Sequence, residues 1–395
     1  MILATFIETH KRYFTAAAGI LVLLLLLLWL GPIILEQRPA RMIQSTITGL
    51  LVGGVYALIA LGIVVINKAS GVFNFAHGWM MLLGGLVFYT FFSSAGVSLL
   101  AAGALALLTV VMALSMAGWR ALREPRNLLI GLVTTIVLTI LMALPGQEWQ
   151  YVRALAGAVT GAVLAGLAIE RFTIRPLIGQ PLFAMVLMTL AVSELLHGVT
   201  QLTWGSVELP LQVFAWIGDL GLPQPIRFDV RETLGGIIII RTELLFAFAL
   251  ALVAFAAFVL FFQFTNVGLS MRGAAEDQRL AQTLGLRVRV MLAVAWAIAA
   301  LLAMTAGVLQ GGATSLSLNM PLLALLAFPA VLLGGLESIG GALVGGLIIG
   351  LVQEWANLLF PGTQAGTELA PYVVLMAVLV VRPDGLFGQK RIERI

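Results

Sequence analysis

Long apolar runs separated by short polar intervals dominate the chain from one end to the other. Most runs are long enough to cross a bilayer at about 1.5 Å of rise per residue, so the pattern predicts about ten to twelve transmembrane segments. Two of them, 320–335 and 371–381, are short and also fit broken or re-entrant helices. The predicted spans are Phe14–Leu30, Met42–Ile66, 79–95, 97–118, 127–144, 152–169, 183–203, Leu244–Phe264, 290–311, 320–335, 340–359 and 371–381. The expected fold class is all-α, a polytopic helical membrane protein.

The first apolar run follows a short basic stretch, His10 to Arg12, as in a signal peptide. No small-x-small cleavage site comes after Phe14–Leu30. We therefore expect residues 1–41 to form an uncleaved signal-anchor helix outside the main membrane domain, residues 42–395.

The distribution of charge predicts the orientation of the chain. Only 10% of residues are charged and 61% are hydrophobic, with a formal net charge of +4. The arginine-rich intervals Arg120–Asn127, Glu170–Pro176 and Thr265–Val290 fall on one side of the predicted spans, which the positive-inside rule assigns to the cytoplasm together with both termini. The longest interval on the other side, Trp204–Thr242, is rich in Pro and Gly and predicts short helices or a hairpin.

The interval Thr265–Val290 predicts a short surface helix between two spans. Glu276 and Asp277 are expected in its first turns, where carboxylates suit the helix dipole. Leu280 and Leu284 share a face at i, i+4, and Gly285 suits a left-handed cap. A helix held at the membrane surface in this way is suited to docking another subunit.

Glycine pairs at i, i+4 recur inside the predicted spans. They allow two helix backbones to approach closely, either within the chain or at an interface with a second membrane chain. The pairs are Gly49 and Gly53, Gly307 and Gly311, Gly341 and Gly345, and Gly346 and Gly350.

Two groups of polar side chains are candidates for a solute path. Glu194 and His197 lie at i, i+3 near the middle of a span, where ionisable groups are costly unless they face a cavity or a partner. Asn74 and His77 lie between Gly71 and Gly78, where unwound backbone could meet a solute. The alternatives are a structural bond between Glu194 and His197, and a satisfied turn that shapes the start of the next helix.

Several function classes lack their sequence features. There is no cysteine, and the three histidines are far apart, so neither a thiol nucleophile nor a metal-ligand pattern is expected. No lysine follows a glycine as a P-loop requires, and no Gly-x-Ser-x-Gly elbow occurs. A contiguous basic face for nucleic acid is also missing. We therefore predict no catalytic residue, cofactor or metal site.

Several short motifs occur in a fixed order along the chain: Gly53–Leu58, Asn74–Gly78, Ile169–Pro176, Arg272–Gly285, Leu333–Gly350 and Arg382–Gly388. Individually they are weak, but together they resemble the membrane subunits of branched-chain amino-acid ABC importers of the LivH type, in the family's order. An added N-terminal span and an apolar insertion near Arg120–Val152 depart from the family.

The resemblance implies a permease fold in which the interval 265–290 is a cytoplasmic coupling helix. Its ATPase-coupling residues would be Arg272, Gly273, Ala274, Ala275, Glu276, Asp277, Arg279, Leu280, Leu284 and Gly285. The translocation path would include Asn74, His77, Glu194 and His197.

The implied partners are two cytoplasmic ABC ATPase subunits, a second homologous permease and an extracytoplasmic solute-binding protein, in a bacterial plasma (inner) membrane. The solutes of the resembled family include branched-chain amino acids, urea, short amides and aromatic acids, and the expected solute is a branched-chain amino acid or a related amide or urea. The alternative is a secondary transporter driven by an ion gradient, for which Glu194 and His197 are the only candidate acid relay.

Overall fold

The computed structural model describes residues 31–93, 97–116, 118, 123–206, 208–276, 281, 283 and 285–388. Among these, eight helical segments are long and apolar enough to cross a membrane, which confirms the predicted helical membrane fold. The predicted span Phe14–Leu30 lies outside the described residues. The helices are α1 Pro39–Ser70, α2 His77–Ser93, α3 Leu99–Met116, α4 Pro125–Met142, α5 Gln150–Ile169, α6 Leu182–Trp204, α7 Thr242–Phe264, α8 Asn266–Glu276, α9 Val288–Ala313, α10 Leu322–Gly334, α11 Ile339–Leu359 and α12 Gln364–Val381.

The segment between α6 and α7 contains the predicted hairpin. Strands β1 (Ile226–Val230) and β2 (Gly236–Ile240) pair antiparallel, with Ile226 opposite Ile240. Single turns of helix at Trp216–Asp219 and Arg231–Leu234 flank or join these strands. A backbone bridge between Leu209 and Leu316 fastens the segment to the connection after α9.

The glycine pairs of α1 and α11 pack against each other inside the chain. A Cβ atom added at Gly53 would lie 2.8 Å from Cα of Leu347, and one at Gly346 would lie 2.4 Å from the backbone nitrogen of Ala57. Similarly, a Cβ at Gly350 would lie 2.5 Å from Cα of Gly53. Only glycine permits this approach. These two glycine faces therefore serve helix packing within the chain.

Buried contacts place the arginine-rich connections at one end of the helix bundle, which we call the arginine-rich end. Met116 at the end of α3, Leu167 near the end of α5 and Ala293 near the start of α9 form one buried cluster. Lys68 Nζ, near the end of α1, donates a hydrogen bond to the carbonyl of Glu337, between α10 and α11, at 3.2 Å. The packing thus brings the arginine-rich connections to the same end of the bundle, as the charge pattern predicts.

The opposite end of the bundle is tied together by a buried arginine. Arg153, near the start of α5, donates from Nε to the carbonyl of Phe91 at 2.8 Å and from Nη1 to the carbonyl of Leu144 at 2.7 Å. These carbonyls lie at the ends of α2 and α4, where the helix leaves backbone acceptors without internal partners. We call this the outer end.

Helices α2 and α10 both begin inside the bundle. At 13 residues, α10 extends for about 20 Å, less than the roughly 30 Å of a bilayer core, and its last residue is at the arginine-rich end. A Cβ added at Gly78, in the first turn of α2, would lie 2.4 Å from the carbonyl oxygen of Pro321. The N-terminal ends of these two short helices therefore meet at membrane depth.

Candidate functional site

The non-helical connection between α1 and α2, residues 71–76, is the first part of the candidate site. Gly71 ends α1 in the left-handed conformation with φ of 70°, as expected of a glycine at a helix C-terminus. Asn74 is completely buried, and its Oδ1 accepts a hydrogen bond from the backbone nitrogen of Ala76 at 3.1 Å. Asn74 therefore shapes the start of α2, as the turn interpretation predicts.

His77, the first residue of α2, is also completely buried. Neither ring nitrogen has a hydrogen-bond partner among the described residues. The ring lies against α1, because a Cβ added at Gly62 would be 2.4 Å from Cε1 of His77. A role for Asn74 and His77 in the solute path stays a prediction, since both side chains are enclosed by protein.

Helix α6 is attached to the connection 71–76 by a threonine that the sequence motifs did not single out. Thr189 is buried, and its hydroxyl lies 3.2 Å from the carbonyl oxygen of Phe73 and 3.3 Å from the backbone nitrogen of Phe75. The hydroxyl can accept from the nitrogen, and it can donate to one carbonyl at a time. The signal in the sequence that could have identified Thr189 is a polar residue that faces an unwound segment.

Glu194 and His197 lie on the opposite, outward side of α6. Glu194 Oε2 is 3.4 Å from Nδ1 of His197, with side-chain exposures of 79% and 36%. The imidazole ring stacks on the indole of Trp79 at 4.3 Å between centroids. The predicted bond between Glu194 and His197 is present, and Trp79 links this pair to α2, two residues after His77.

The four predicted path residues thus form two sets with different surroundings. Asn74 and His77 face the interior of the chain, and Glu194 faces outward from it. The contacts of Thr189 and Trp79 connect the two sets through α6.

A short surface helix, α8, is present in the predicted interval at the arginine-rich end, and its coupling role stays a prediction. Met271 and Ala274, at i, i+3, are 4% and 5% exposed and pack against the bundle, while Gly273 between them is exposed. The guanidinium of Arg272 lies 5.7 Å from the centre of the Phe262 ring on α7. The helix is therefore held by one face and by its arginine, and the other face is open.

The bounds differ from the prediction, which placed Glu276 in the first turns of a helix that ends at Gly285. The hydroxyl of Thr265 accepts a hydrogen bond from the backbone nitrogen of Gly268 at 3.0 Å, so α8 begins directly after α7. Glu276 is the last residue of α8, and Ala281 and Thr283, which precede Gly285, are also helical. Of the predicted coupling residues, Ala275 is also in α8, whereas Asp277, Arg279, Leu280 and Leu284 lie outside the described residues.

The predicted cap at Gly285 is confirmed. Its φ is 84°, and the backbone nitrogen of Leu286 donates to the carbonyl of Ala281 at 3.0 Å. This six-to-one bond around a left-handed glycine is the Schellman motif. Ala281 belongs to a buried cluster with Ala274, Val288 and Leu292, so the chain after α8 returns to the bundle.

The segment after α12 borders the same surface. Backbone nitrogens of Leu386 and Phe387 donate to the carbonyls of Leu333 and Gly334 at 2.8 and 3.1 Å. A groove of about 220 Å³ beside this contact is lined by Lys68, Glu337, Ser338, Ile339 and Phe387.

A buried ion pair fixes the chain between α5 and α6. Glu170 is completely buried, and its two oxygens accept from Nε and Nη2 of Arg175 at 3.0 and 2.8 Å. A two-point bond of this kind compensates the burial of the carboxylate. Arg175 also contacts Met116 Sδ at 3.0 Å, which ties this turn to α3.

Comparison with known proteins gives consistent matches. Residues 130–381 match the family model described as "Branched-chain amino acid transport system / permease component". The chain is 26% identical over 356 residues to the high-affinity branched-chain amino acid transport system permease protein BraD of Pseudomonas aeruginosa, covering 89% of this chain and 98% of that protein. It is 27% identical over 360 residues to the corresponding LivH of Salmonella typhimurium, covering 89% and 97%. No solved structure matches the chain.

Proposed function

The chain belongs to the permease family of branched-chain amino acid transport systems, and we propose that it is the transmembrane permease subunit of an ATP-driven importer. In this role it passes a small polar solute to the cytoplasm from an extracytoplasmic binding protein. The solute is a branched-chain amino acid, or else a related amide or urea. The chain works with a second homologous permease and two cytoplasmic ATPases, in the bacterial plasma (inner) membrane.

The observation that carries this proposal is the way α8 packs against the helix bundle. The helix buries Met271 and Ala274 against the bundle and leaves the side at Gly273 open. It lies at the end that carries the arginine-rich connections, which the positive-inside rule assigns to the cytoplasm. A helix fixed to two spans in this way can receive the motion of a cytoplasmic subunit and pass it to the membrane helices.

The groove beside the C-terminal segment supports the same proposal. Lys68 and Glu337 line it, and Leu386 and Phe387 are bonded to the end of α10. A subunit docked on α8 would therefore also approach the ends of α1 and α10. We propose that these two helix ends are where the movement of the ATPase reaches the helices around the connection 71–76.

The docking role can be tested with a single exposed position. Among the described residues, a Cβ at Gly273 would meet only Leu286 Cδ1, at 3.9 Å, so Gly273→Arg adds a bulky cation to the open side with little expected effect on the fold. Co-purification of the ATPase with tagged permease should then be lost, together with ATP-dependent uptake, while the variant still inserts. The matched control is Gly218→Arg, at an open glycine in the segment between α6 and α7.

Equal amounts of ATPase on the Gly273→Arg variant and the wild type would contradict the docking role. The same vesicles separate the two classes of transporter. Solute uptake that follows an imposed proton or sodium gradient without ATP would favour the secondary transporter.

A further inference from the structure

Glu194 differs from the other charged residues of the described spans in its depth. It comes twelve residues after the start of α6 at Leu182 and ten before its end at Trp204. All other charged side chains in the described membrane helices lie within six residues of a helix end. Glu194 is therefore the one carboxylate among them that stands near the centre of the bilayer.

The cost of placing a carboxylate in hydrocarbon argues against a lipid-facing position for Glu194. Its side chain is 79% exposed in the isolated chain. A carboxylate at mid-membrane is costly in hydrocarbon and is tolerated when it faces a water-filled cavity or another polar group. His197, its neighbour, is held by the stack on Trp79. The face of α6 that bears Glu194 must therefore border water or protein.

The polarity of this face changes at Glu194. Toward the outer end, His197, Gly198 and Gln201 follow at i+3, i+4 and i+7, so all share one face of the helix. Among the described parts of the chain, a Cβ at Gly198 would meet nothing within 4 Å, which leaves open space beside the carboxylate. Gln201 is exposed and donates to Ser206 Oγ at 3.2 Å. A polar stripe thus leads from the outer surface to Glu194.

Below Glu194 the same face is apolar. Leu190 and Leu187, at i−4 and i−7, are 43% and 48% exposed. Leu195 and Leu202 are also exposed, at 64% and 91%, and they lie about 100° and 80° around the helix from Glu194, beside the Gly198 edge of the stripe. The stripe is therefore bounded on one side and at its lower end by leucines.

We infer that the polar stripe of Glu194, His197, Gly198 and Gln201 lines a water-filled vestibule open to the outer end, with Glu194 binding the ammonium group of a permeating amino acid. The aliphatic part of that amino acid would lie against Leu190 and Leu187. This inference rests on the proposed permease function, because the second permease chain supplies the facing wall. It assigns the solute to zwitterions with an apolar side chain and not to neutral amides.

The absence of cysteine from the chain allows a direct test of the vestibule. Single-cysteine variants Glu194→Cys and Gln201→Cys are compared with Leu195→Cys and Leu202→Cys in vesicles that contain the full transport complex. We expect a membrane-impermeant charged maleimide added from the outer side to label the first two and not the second two. Leu202 is the sharper control, because it neighbours Gln201 at the same depth.

Two labelling results would overturn the vestibule. If none of the four positions reacts, the stripe is sealed by protein contacts. If all four react equally, water surrounds the helix and no stripe is distinguished. Neither result depends on which solute the complex carries, so failure of the proposed solute and failure of the vestibule can be told apart.

Transport kinetics test the ammonium contact. With radiolabelled leucine, the binding protein and ATP, Glu194→Gln should reduce uptake roughly tenfold, because a charge-assisted bond is replaced by a neutral one. Glu194→Asp should retain more uptake than Glu194→Gln, since it keeps the charge. The control is Glu232→Gln, an exposed carboxylate outside the spans.

Equal uptake by Glu194→Gln and wild type would overturn the contact. So would equal losses in the Gln and Asp variants, since a merely structural role does not depend on charge. An inactive wild type with leucine would instead contradict the proposed solute, and the labelling pattern would still decide the vestibule.

Discussion

The two polar sets around α6 contain similar residues in opposite surroundings. Asn74 and His77 are completely enclosed, whereas Glu194, on the outward side of α6, is largely exposed. The enclosed set fixes the start of α2 and packs against Gly62. The exposed set is attached to the fold only by the Trp79 stack and its own weak bond. A polar side chain within a membrane span therefore has a structural or a functional role, and its surroundings distinguish the two.

The largest loss of stability is expected at Gly62 of α1, against which the enclosed His77 packs. Gly62→Leu should lower the free energy of unfolding by about 3 kcal/mol, because its Cβ would fall 2.4 Å from the buried ring of His77. The measurement is thermal unfolding of the detergent-solubilised protein. The matched control, Gly198→Leu, places the same side chain at the open glycine of α6 and should change stability little. Equal losses in both variants would remove the contrast between the two sets.

The next largest loss of stability is expected when the Asn74 amide is removed. Asn74→Leu removes the acceptor for the backbone nitrogen of Ala76 in a buried turn, which should cost about 2 kcal/mol. Asn127→Leu, at an exposed asparagine near the start of α4, should stay within about 0.5 kcal/mol of wild type. Denaturation of both variants under one set of conditions gives the comparison, and an unaffected Asn74→Leu would argue against a turn-shaping role.

A smaller effect is expected at the attachment between the sets. Thr189→Val leaves the half-buried backbone nitrogen of Phe75 without its hydroxyl partner, so the loss should be about 1 kcal/mol. Thr200→Val removes only a bond within α6, to the carbonyl of His197, and should cost less. Hydrogen exchange at Phe75 would report the loosening directly. Exchange that is equally slow in both variants would show that Thr189 does not hold the connection.

The smallest effect on stability is expected at Glu194. Glu194→Gln should change the free energy of unfolding by no more than about 0.5 kcal/mol, because its bond to His197 is exposed and 3.4 Å long. The same thermal unfolding experiment checks this, with wild type as reference. A loss as large as that of Asn74→Leu would mean that Glu194 is structural.

Much of the architecture could be predicted before any packing was known. The bounds of α6, predicted as 183–203, are observed as Leu182–Trp204, since an apolar run bordered by Pro and Gly defines its own helix. The hairpin before α7 and the left-handed cap at Gly285 were predicted for equally local reasons. Helix α8, Asn266–Glu276, was not predicted because the cap formed by Thr265 directly after α7 was overlooked.

What the sequence by itself determined is the set of apolar helices, their orientation by charge and the surface helix between α7 and α9. These depend on composition and on neighbours within a few residues, where hydrophobic length and capping act. Only the tertiary structure decided that the glycines of α1 meet those of α11, that α2 and α10 begin against each other, and that Asn74 is enclosed while Glu194 is open. The residues responsible are up to three hundred positions apart, and contacts between distant segments leave no periodic trace in the sequence.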